Sequence, residues 1–254
     1  MDVNDIRFRI AASRRILFRQ GCDSQVGGHV SARVAGEDAF WVTPFEYFDE
    51  TIPDGVCKVS FDLEVVEGEM SASPAIQFHA AIYRERPDVN SVIHTHSFWA
   101  SVLSGTERPL GMYNVVSVLF AGEQAFHEDD GSHPSADGKV IAAALADKQV
   151  LFLKNHGVIV VGSSLENATV DAVALELASH YQVEMERIGA TEMPQAEVVQ
   201  SKVLYEKYFR QNMWPALLRR LRVSDPDLFT FVDGPTAGAG GSGGGPAAAE
   251  GGMR

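Results

Sequence analysis

The chain has 254 residues, of which 45% are hydrophobic, and this is enough for a sizeable core without disulfide staples. Its 21 Lys and Arg against 34 Asp and Glu give a net charge of −13, which argues against a nucleic-acid surface or an anionic membrane surface. The sequence has no apolar run of membrane-spanning length, and its two cysteines are typical of a reduced compartment. We therefore expect a cytoplasmic protein with a small-molecule partner, binding neither nucleic acid nor membrane.

The first part of the chain predicts one helix followed by short strands. Asn4 or Asp5 can cap a helix that ends at Gly21. Short runs bounded by Gly, Pro and Asp then predict meandering antiparallel strands at residues 30–34, 39–43, 56–61 and 63–66. Ser73 and Pro74 predict the first residues of a second helix, which continues to Tyr83.

The rest of the chain predicts alternating strands and helices. Strands are expected at residues 89–95, 115–120, 149–153 and 158–161, and helices at 97–103, 165–188 and 195–221. Mostly antiparallel strands with helices available to cover them predict an α/β fold. Residues 233–254 contain nine glycines and almost no large apolar side chain. We therefore predict a disordered tail after a single domain of residues 1–232.

Three histidines are placed as a metal site would require. His94 and His96 are separated by one residue in a predicted strand, so their imidazoles point to the same face. His156 lies in a sharp Asn-His-Gly turn after another buried strand, which brings a third imidazole to the end of the same sheet. Three neutral imidazoles with an open position suit one catalytic divalent ion, Zn²⁺, Fe²⁺, Mn²⁺ or Co²⁺. The alternative interpretation is a set of ordinary half-buried histidines.

Five stretches, in a fixed order and spacing, carry a family resemblance: Gly-Gly-His-Val-Ser-Ala-Arg at 27–33, Val-Thr-Pro at 42–44, residues 79–89, Val-Ile-His-Thr-His-Ser at 92–97 and Leu-Lys-Asn-His-Gly-Val at 153–158. In these the sequence resembles the class II aldolase/adducin family. The resemblance implies a three-layer α/β/α fold with a central, mostly antiparallel sheet. It also implies that His94, His96 and His156 hold the metal, and that a homotetramer carries active sites at its subunit contacts.

The chain departs from the sugar-phosphate aldolases of that family in two places. Their Pro-Ser-Ser-Glu segment is Ala-Ser-Pro-Ala here, so Ala75 replaces the glutamate that serves as metal ligand and general base. Their phosphate-holding Gly-Asn-Ile-Ser and Thr-Pro-Ser-Gly segments are Gly-His-Val-Ser at 28–31 and Thr-Pro-Phe-Glu at 43–46. Because a phosphate site favours small hydroxyls and no carboxylate, these changes predict an unphosphorylated carboxylate substrate.

The resemblance also suggests roles around the metal. It places Thr43, Phe45 and Ser73 at substrate-binding positions, with the ring of Phe45 or Phe48 as a candidate wall for an aromatic acid. His29 is a candidate proton donor or carboxylate partner, and Tyr113 lies where family aldolases can place a proton-donating tyrosine from the neighbouring subunit. For both residues a purely structural role is the alternative: loop capping for His29 and strand-edge packing for Tyr113.

Three functions are compatible with these residues. The first is a metal-dependent carbon–carbon lyase, a decarboxylase or an aldolase, acting on an unphosphorylated hydroxy- or oxo-carboxylate. The second is a non-haem Fe(II) oxygenase that carries out oxidative decarboxylation on the same three histidines. The third is a non-catalytic, adducin-like binding module without a metal. We expect the lyase: the three histidines argue against a metal-free module, and the absent glutamate favours a decarboxylase over an aldolase but fits a redox role as well.

Overall fold

A computed structural model describes residues 1–69, 72–73, 75–128 and 138–234. The strands within these ranges are β1 (His29–Arg33), β2 (Ala39–Val42), β3 (Cys57–Ser60), β4 (Val65–Glu67), β5 (Ser91–Thr95), β6 (Gln124–His127), β7 (Val150–Leu153) and β8 (Gly157–Gly162). The helices are α1 (Ile6–Arg19), α2 (Gln77–Glu85), α3 (Phe98–Ser104), α4 (Gly138–Leu145), α5 (Leu165–Arg187), α6 (Gln195–Leu204), α7 (Gln211–Ser224) and α8 (Pro226–Asp233).

All eight of these strands form one sheet in the order β4-β3-β2-β1-β5-β8-β7-β6. Every neighbouring pair is antiparallel except β6 and β7, which are parallel. The expected α/β fold with a mostly antiparallel sheet is therefore confirmed. Strands β1, β5 and β8 lie side by side in the middle of the sheet, where both faces are covered.

Two apolar clusters, one on each face of the sheet, make the structure three-layered. One cluster packs residues of α1, α5 and α7 against side chains such as Ile93 of β5. The other packs α2 and α4 against the opposite face, where Val92 of the same strand points. Because successive strand residues point to opposite faces, the continuous apolar run of β5 supplies both clusters.

The first helix begins and ends where the sequence predicts. Asp5 is its N-cap, and the Asp5 side chain accepts a hydrogen bond from the Arg7 backbone N–H at 2.9 Å. Gly21 follows the helix with φ of +78°, the left-handed conformation that glycine adopts without steric cost.

The strand predicted at 115–120 is wrong. Residues Ser117–Phe120 form a 3-10 turn, and the strand of this region is β6. The Asn114 side-chain oxygen accepts hydrogen bonds from the backbone N–H groups of Val116 and Ser117, at 2.8 and 3.2 Å. This local bonding closes the chain into a turn despite its β-branched residues.

The predicted start of the second helix is also wrong. Helix α2 begins at Gln77, because the preceding segment is held by other contacts. Ala72 forms an isolated antiparallel bridge with Pro44, and Ser73 Oγ accepts a hydrogen bond from the Ala75 N–H at 3.3 Å. Pro74, the expected first helical residue, lies outside the described residues.

The C-terminal region contains more elements than the sequence predicts. The single helix expected at 195–221 is α6, a π-helical turn over Tyr205–Arg210, and α7. Helices α4 and α8 were not predicted, because each is a short element whose apolar face is defined only by packing, such as that of α4 on α2. Residues 235–254 lie outside the described part, so the disordered tail and the 1–232 domain stay predictions. Within the described part, none of the helices combines the length and apolarity that crossing a bilayer requires.

Candidate metal centre

The side chains of His94, His96 and His156 converge on one point. The Nε2 atoms of His94 and His96 lie 3.0 Å apart, and those of His96 and His156 lie 2.9 Å apart. One ligand nitrogen from each ring lies within 4.8 Å of the other two. Tetrahedral zinc at Zn–N distances of about 2.0–2.1 Å separates its nitrogens by roughly 3.4 Å, so a small outward movement admits an ion. The donor set fits one divalent metal.

The pairing of β5 with β8 produces this convergence. In that antiparallel pair, Thr95 lies opposite Val158, so the C-terminal end of β5 meets the first residues of β8. Asn155 has φ of +55°, which turns the chain sharply before His156. A Cβ on Gly157 would collide with the Thr95 carbonyl oxygen and would lie 3.1 Å from His96 Cδ2. Glycine is therefore required for the close approach of the turn to the histidine strand.

Neighbouring groups fix the orientation of the His94 ring and the position of the His96 backbone. His94 Nδ1 lies 3.0 Å from the Val158 carbonyl oxygen, which can only accept a hydrogen bond. The proton of the neutral ring is therefore on Nδ1, and the Nε2 lone pair points toward the other histidines. The backbone N–H of His96 donates to Ser24 Oγ at 2.6 Å, which holds the chain at the end of β5.

Burial keeps these imidazoles neutral, as metal binding requires. Burial, with smaller contributions from the neighbouring histidines, lowers the pKa of His94 well below its ordinary value. Burial and then His156 lower the pKa of His96 to about 4. Near neutral pH, these two rings therefore offer the ion a free lone pair, because no proton competes for that nitrogen.

His29, the candidate proton donor, lies directly beside the histidine cluster. It is opposite His94 in the pairing of β1 with β5, and the two ring centroids are 5.4 Å apart. The His29 side chain is 1% exposed, and within the described residues neither of its ring nitrogens has a hydrogen-bond partner. Burial first, and then nearby His79 and Arg14, lower the pKa of His29 well below its ordinary value.

The three predicted substrate-binding residues lie on two neighbouring segments. Thr43 is buried, and its Oγ accepts a hydrogen bond from the Val30 N–H at 3.2 Å, while Ser73 is buried and adjoins the bridge between Ala72 and Pro44. Phe45 is 51% exposed, so its ring is available to a ligand. The structure brings these segments together, with both hydroxyls accepting from backbone N–H groups and the aromatic ring exposed.

A buried arginine joins the segment of Thr43 and Phe45 to the residue before His29, and sequence reasoning missed it. The Arg14 guanidinium donates to the carbonyl oxygens of Gly28, Pro44 and Glu46, at 3.2, 2.7 and 2.6 Å. It also lies 4.5 Å from the centroid of the Phe48 ring, so Phe48 is a packing partner and is buried. Burial lowers the pKa of Arg14 to about 10. Because an arginine within a helix normally faces solvent, the sequence gives no indication that Arg14 is buried and makes these contacts.

Tyr113 is not brought to the histidine cluster by the fold of this chain. Its hydroxyl donates to the Glu186 carboxylate at 3.2 Å, near the C-terminal end of α5. Burial and the Glu186 charge raise the pKa of Tyr113. Its predicted role across a subunit contact concerns a second copy of the chain and stays a prediction.

Fold and centre together define an α/β/α protein with a three-histidine site at the ends of two central strands, β5 and β8. The sequence profile of the Class II Aldolase and Adducin N-terminal domain matches residues 8–183. The decarboxylase NovR of Streptomyces niveus is 30% identical over 235 residues, covering 89% of this chain and 87% of that protein. The 4-hydroxy-3-prenylphenylpyruvate oxygenase/4-hydroxy-3-prenylbenzoate synthase of Streptomyces roseochromogenus subsp. oscitans is 30% identical over 232 residues, covering 88% and 84%.

A solved structure agrees with these sequence matches. The crystal structure of an aldolase II superfamily protein from Pseudomonas syringae superimposes with a TM-score of 0.80 at 27% identity, covering 88% of this chain and 94% of that chain. The chain therefore belongs to the class II aldolase/adducin family, as its motifs indicate. It is an enzyme of the class II aldolase-like lyase type, whose three-histidine group is compatible with a divalent metal.

Proposed function

We propose that the protein is a metal-dependent carbon–carbon lyase, a decarboxylase more than an aldolase, acting on an unphosphorylated hydroxy- or oxo-carboxylate. The observation that carries the proposal is the convergence of three imidazoles in a chain whose sequence has Ala75 where the sugar-phosphate aldolases have a carboxylate. His94, His96 and His156 would hold one divalent ion. The bound ion would supply Lewis acidity for the negative charge that develops when CO₂ or an aldehyde departs.

The remaining residues would bind and orient the substrate. Thr43, Phe45 and Ser73 lie on the two joined segments, and the exposed Phe45 ring suits an aromatic group. A phosphate is disfavoured there, because Glu46, the residue after Phe45, carries a half-buried carboxyl group. His29, buried next to His94, would exchange a proton or a hydrogen bond with the substrate oxygen.

Metal analysis combined with substitution tests the proposal. The wild-type chain, purified without oxygen, should contain close to one divalent ion per chain and release CO₂ from an oxo- or hydroxy-carboxylate. His156→Ala should lose the ion and the activity together, whereas His127→Ala, a histidine on the edge strand β6 that is not one of the three converging ligands, should keep both. Metal binding and activity that survive His156→Ala would refute the assignment of the site.

An iron-dependent oxygenase is the second candidate, because one relative is named an oxygenase and is 30% identical over 88% of this chain. Three histidines leave positions for both O₂ and a substrate on Fe(II). Oxygen consumption coupled to CO₂ release, with iron as the purified metal, would favour it over the lyase. If the wild-type chain takes up none of Zn²⁺, Fe²⁺, Mn²⁺ and Co²⁺, a non-catalytic, adducin-like binding module becomes the best remaining interpretation.

The assembly and location belong to the same proposal. We infer a homotetramer in which Tyr113 of one subunit approaches the centre of the next, working in the cytoplasm on a small molecule and binding neither nucleic acid nor membrane. Light scattering on the purified chain measures the assembly directly. A monomer with full activity would remove Tyr113 from the mechanism, since its hydroxyl bonds Glu186 within its own chain.

A further inference from the structure

A row of buried polar side chains lies between β1 and α2, next to the metal centre. His29 and Ser31 are two residues apart on β1 and point to the same face of the sheet. His79 and Tyr83 are one helical turn apart on α2. We call these four residues the polar seam. All four are at most 1% exposed, and residues such as Phe40 and Phe78 surround them, so the seam crosses an otherwise apolar layer.

One end of the seam is fully hydrogen-bonded. Ser31 Oγ lies 2.7 Å from both His79 Nδ1 and the Tyr83 hydroxyl. These contacts fix the plane of the His79 ring and turn its other nitrogen away from Ser31. The His79 ring centroid lies 5.4 Å from that of His29, whose ring is in turn 5.4 Å from that of His94.

The other end of the seam is not satisfied. His79 Nε2 and both ring nitrogens of His29 are buried and have no hydrogen-bond partner among the described residues. A buried polar atom without a partner costs about 1–3 kcal/mol, so three of them side by side would be selected against unless a bound group satisfies them. Apolar side chains would fill the same space without that cost.

The chemistry of these nitrogens specifies what they can bind. A buried imidazole is neutral and carries one N–H and one lone pair, so His29 offers one donor and one acceptor whichever nitrogen holds the proton. His79 adds one further position. A carboxylate or keto oxygen accepts only and would leave the acceptor nitrogen unpaired, whereas a hydroxyl group both donates and accepts.

We propose that His29 and His79 form a hydroxyl-binding subsite beside the metal, and that the enzyme takes a hydroxy acid in preference to the matching oxo acid. Ser31 and Tyr83 act as positioning residues that hold the His79 ring. The inference rests on the proposed function, because it concerns a carboxylate ligand at the three-histidine centre, and it narrows the substrate class of that site.

The test compares two small probes that differ only in this group. The full chain is loaded with Co²⁺, and lactate (each enantiomer) or pyruvate is titrated while the visible absorption of the cobalt is followed. His79→Phe removes the subsite nitrogen and keeps an aromatic ring among aromatic neighbours; His29→Leu is the second variant, and His127→Phe is the matched control on β6. Cobalt content and melting temperature are measured for every protein.

We expect the ratio of the pyruvate Kd to the Kd of the better lactate enantiomer to be about tenfold higher in the wild type and in His127→Phe than in His79→Phe and His29→Leu. Comparing ratios cancels the different chelating strengths of the two probes. A ratio that is unchanged in cobalt-loaded His79→Phe would overturn the subsite and leave the metal site standing. Failure of the wild type to take up cobalt would refute the proposed function and, with it, a subsite for a metal-bound ligand.

Discussion

A carboxylate distant in sequence holds the segment that follows the histidine strand, and its removal should loosen the centre. Glu176 of α5 is 6% exposed. Its two oxygens accept hydrogen bonds from the backbone N–H groups of Trp99 and Ala100, each at 2.9 Å, in the first turn of α3. Helix α3 begins two residues after His96, so these bonds anchor the chain where it leaves the metal site.

The size of the effect follows from the two bonds. A hydrogen bond to a charged acceptor contributes about 1.5–3 kcal/mol. Water can reach the half-buried Trp99 N–H but not the buried Ala100 N–H, so Glu176→Ala should lower the free energy of unfolding by about 3 kcal/mol, near the lower end of the two-bond sum. Glu176→Gln keeps one accepting oxygen and should lose about half as much. Glu184→Ala on the same helix removes only an exposed pair with Arg187 and should lose about 0.5 kcal/mol.

Urea unfolding of the metal-free proteins, followed by circular dichroism, measures these differences. Cobalt titration then tests whether Glu176→Ala also weakens metal binding, as expected if α3 positions His96. A loss below about 1 kcal/mol in Glu176→Ala, or an equal loss in Glu184→Ala, would show that the two backbone bonds do not hold this segment.

Two further predictions concern stability and the turn at the centre. Burial raises the pKa of Asp171 to about 6, although Arg210 Nε lies 3.0 Å from its carboxylate. Between about pH 4 and pH 6 the Asp171 carboxyl is therefore protonated in the folded protein but ionised in the unfolded chain. This difference adds about 2–3 kcal/mol to the free energy of unfolding below pH 4, and the addition is lost as the pH rises through 6. The unfolding free energy of the wild type minus that of Asp171→Asn should therefore fall between pH 4 and 7 in denaturant titrations; a rise would contradict the sign. Gly157→Ala should abolish stoichiometric metal uptake and lower the melting temperature by more than about 5 °C, because the added Cβ would collide with the Thr95 carbonyl oxygen. Normal metal uptake by a stable Gly157→Ala protein would show that the turn can shift.

The histidine cluster was predictable because each histidine obeys a local rule. His94 and His96 share a face through the two-residue period of a strand, and His156 lies in a glycine turn next to a buried run. The sequence does not show that β5 pairs with β8, so this pairing had to be assumed. The structure contains the pair, and its antiparallel register brings the end of β5 next to the turn of His156. Local periodicity and one strand pairing are therefore sufficient to bring these three side chains together.

The supporting residues were not predictable, because their partners are distant in sequence. Arg14 and Glu176 are charged residues within helices, and such residues normally face solvent. Each is buried because backbone groups from remote segments converge on it, three carbonyls on Arg14 and two N–H groups on Glu176. The strand predicted at 115–120 failed for the opposite reason, since the Asn114 side chain overrode β-propensity within three residues.

The position of the centre in the sheet separates changes in the metal ligands from changes in the substrate-binding residues. His94 lies on β5, His96 directly follows β5, and His156 lies in the turn into β8. Both strands have a hydrogen-bonded neighbour on each side. Thr43 and Phe45 lie at the end of β2 and after it, and Ser73 lies between β4 and α2, outside the regular elements. Thr43 Oγ accepts a hydrogen bond from the Val30 N–H of β1, whereas substitutions at Phe45 and Ser73 can alter the ligand without breaking a central strand pairing. The same scaffold can therefore acquire a new substrate in small steps while its metal chemistry is inherited unchanged.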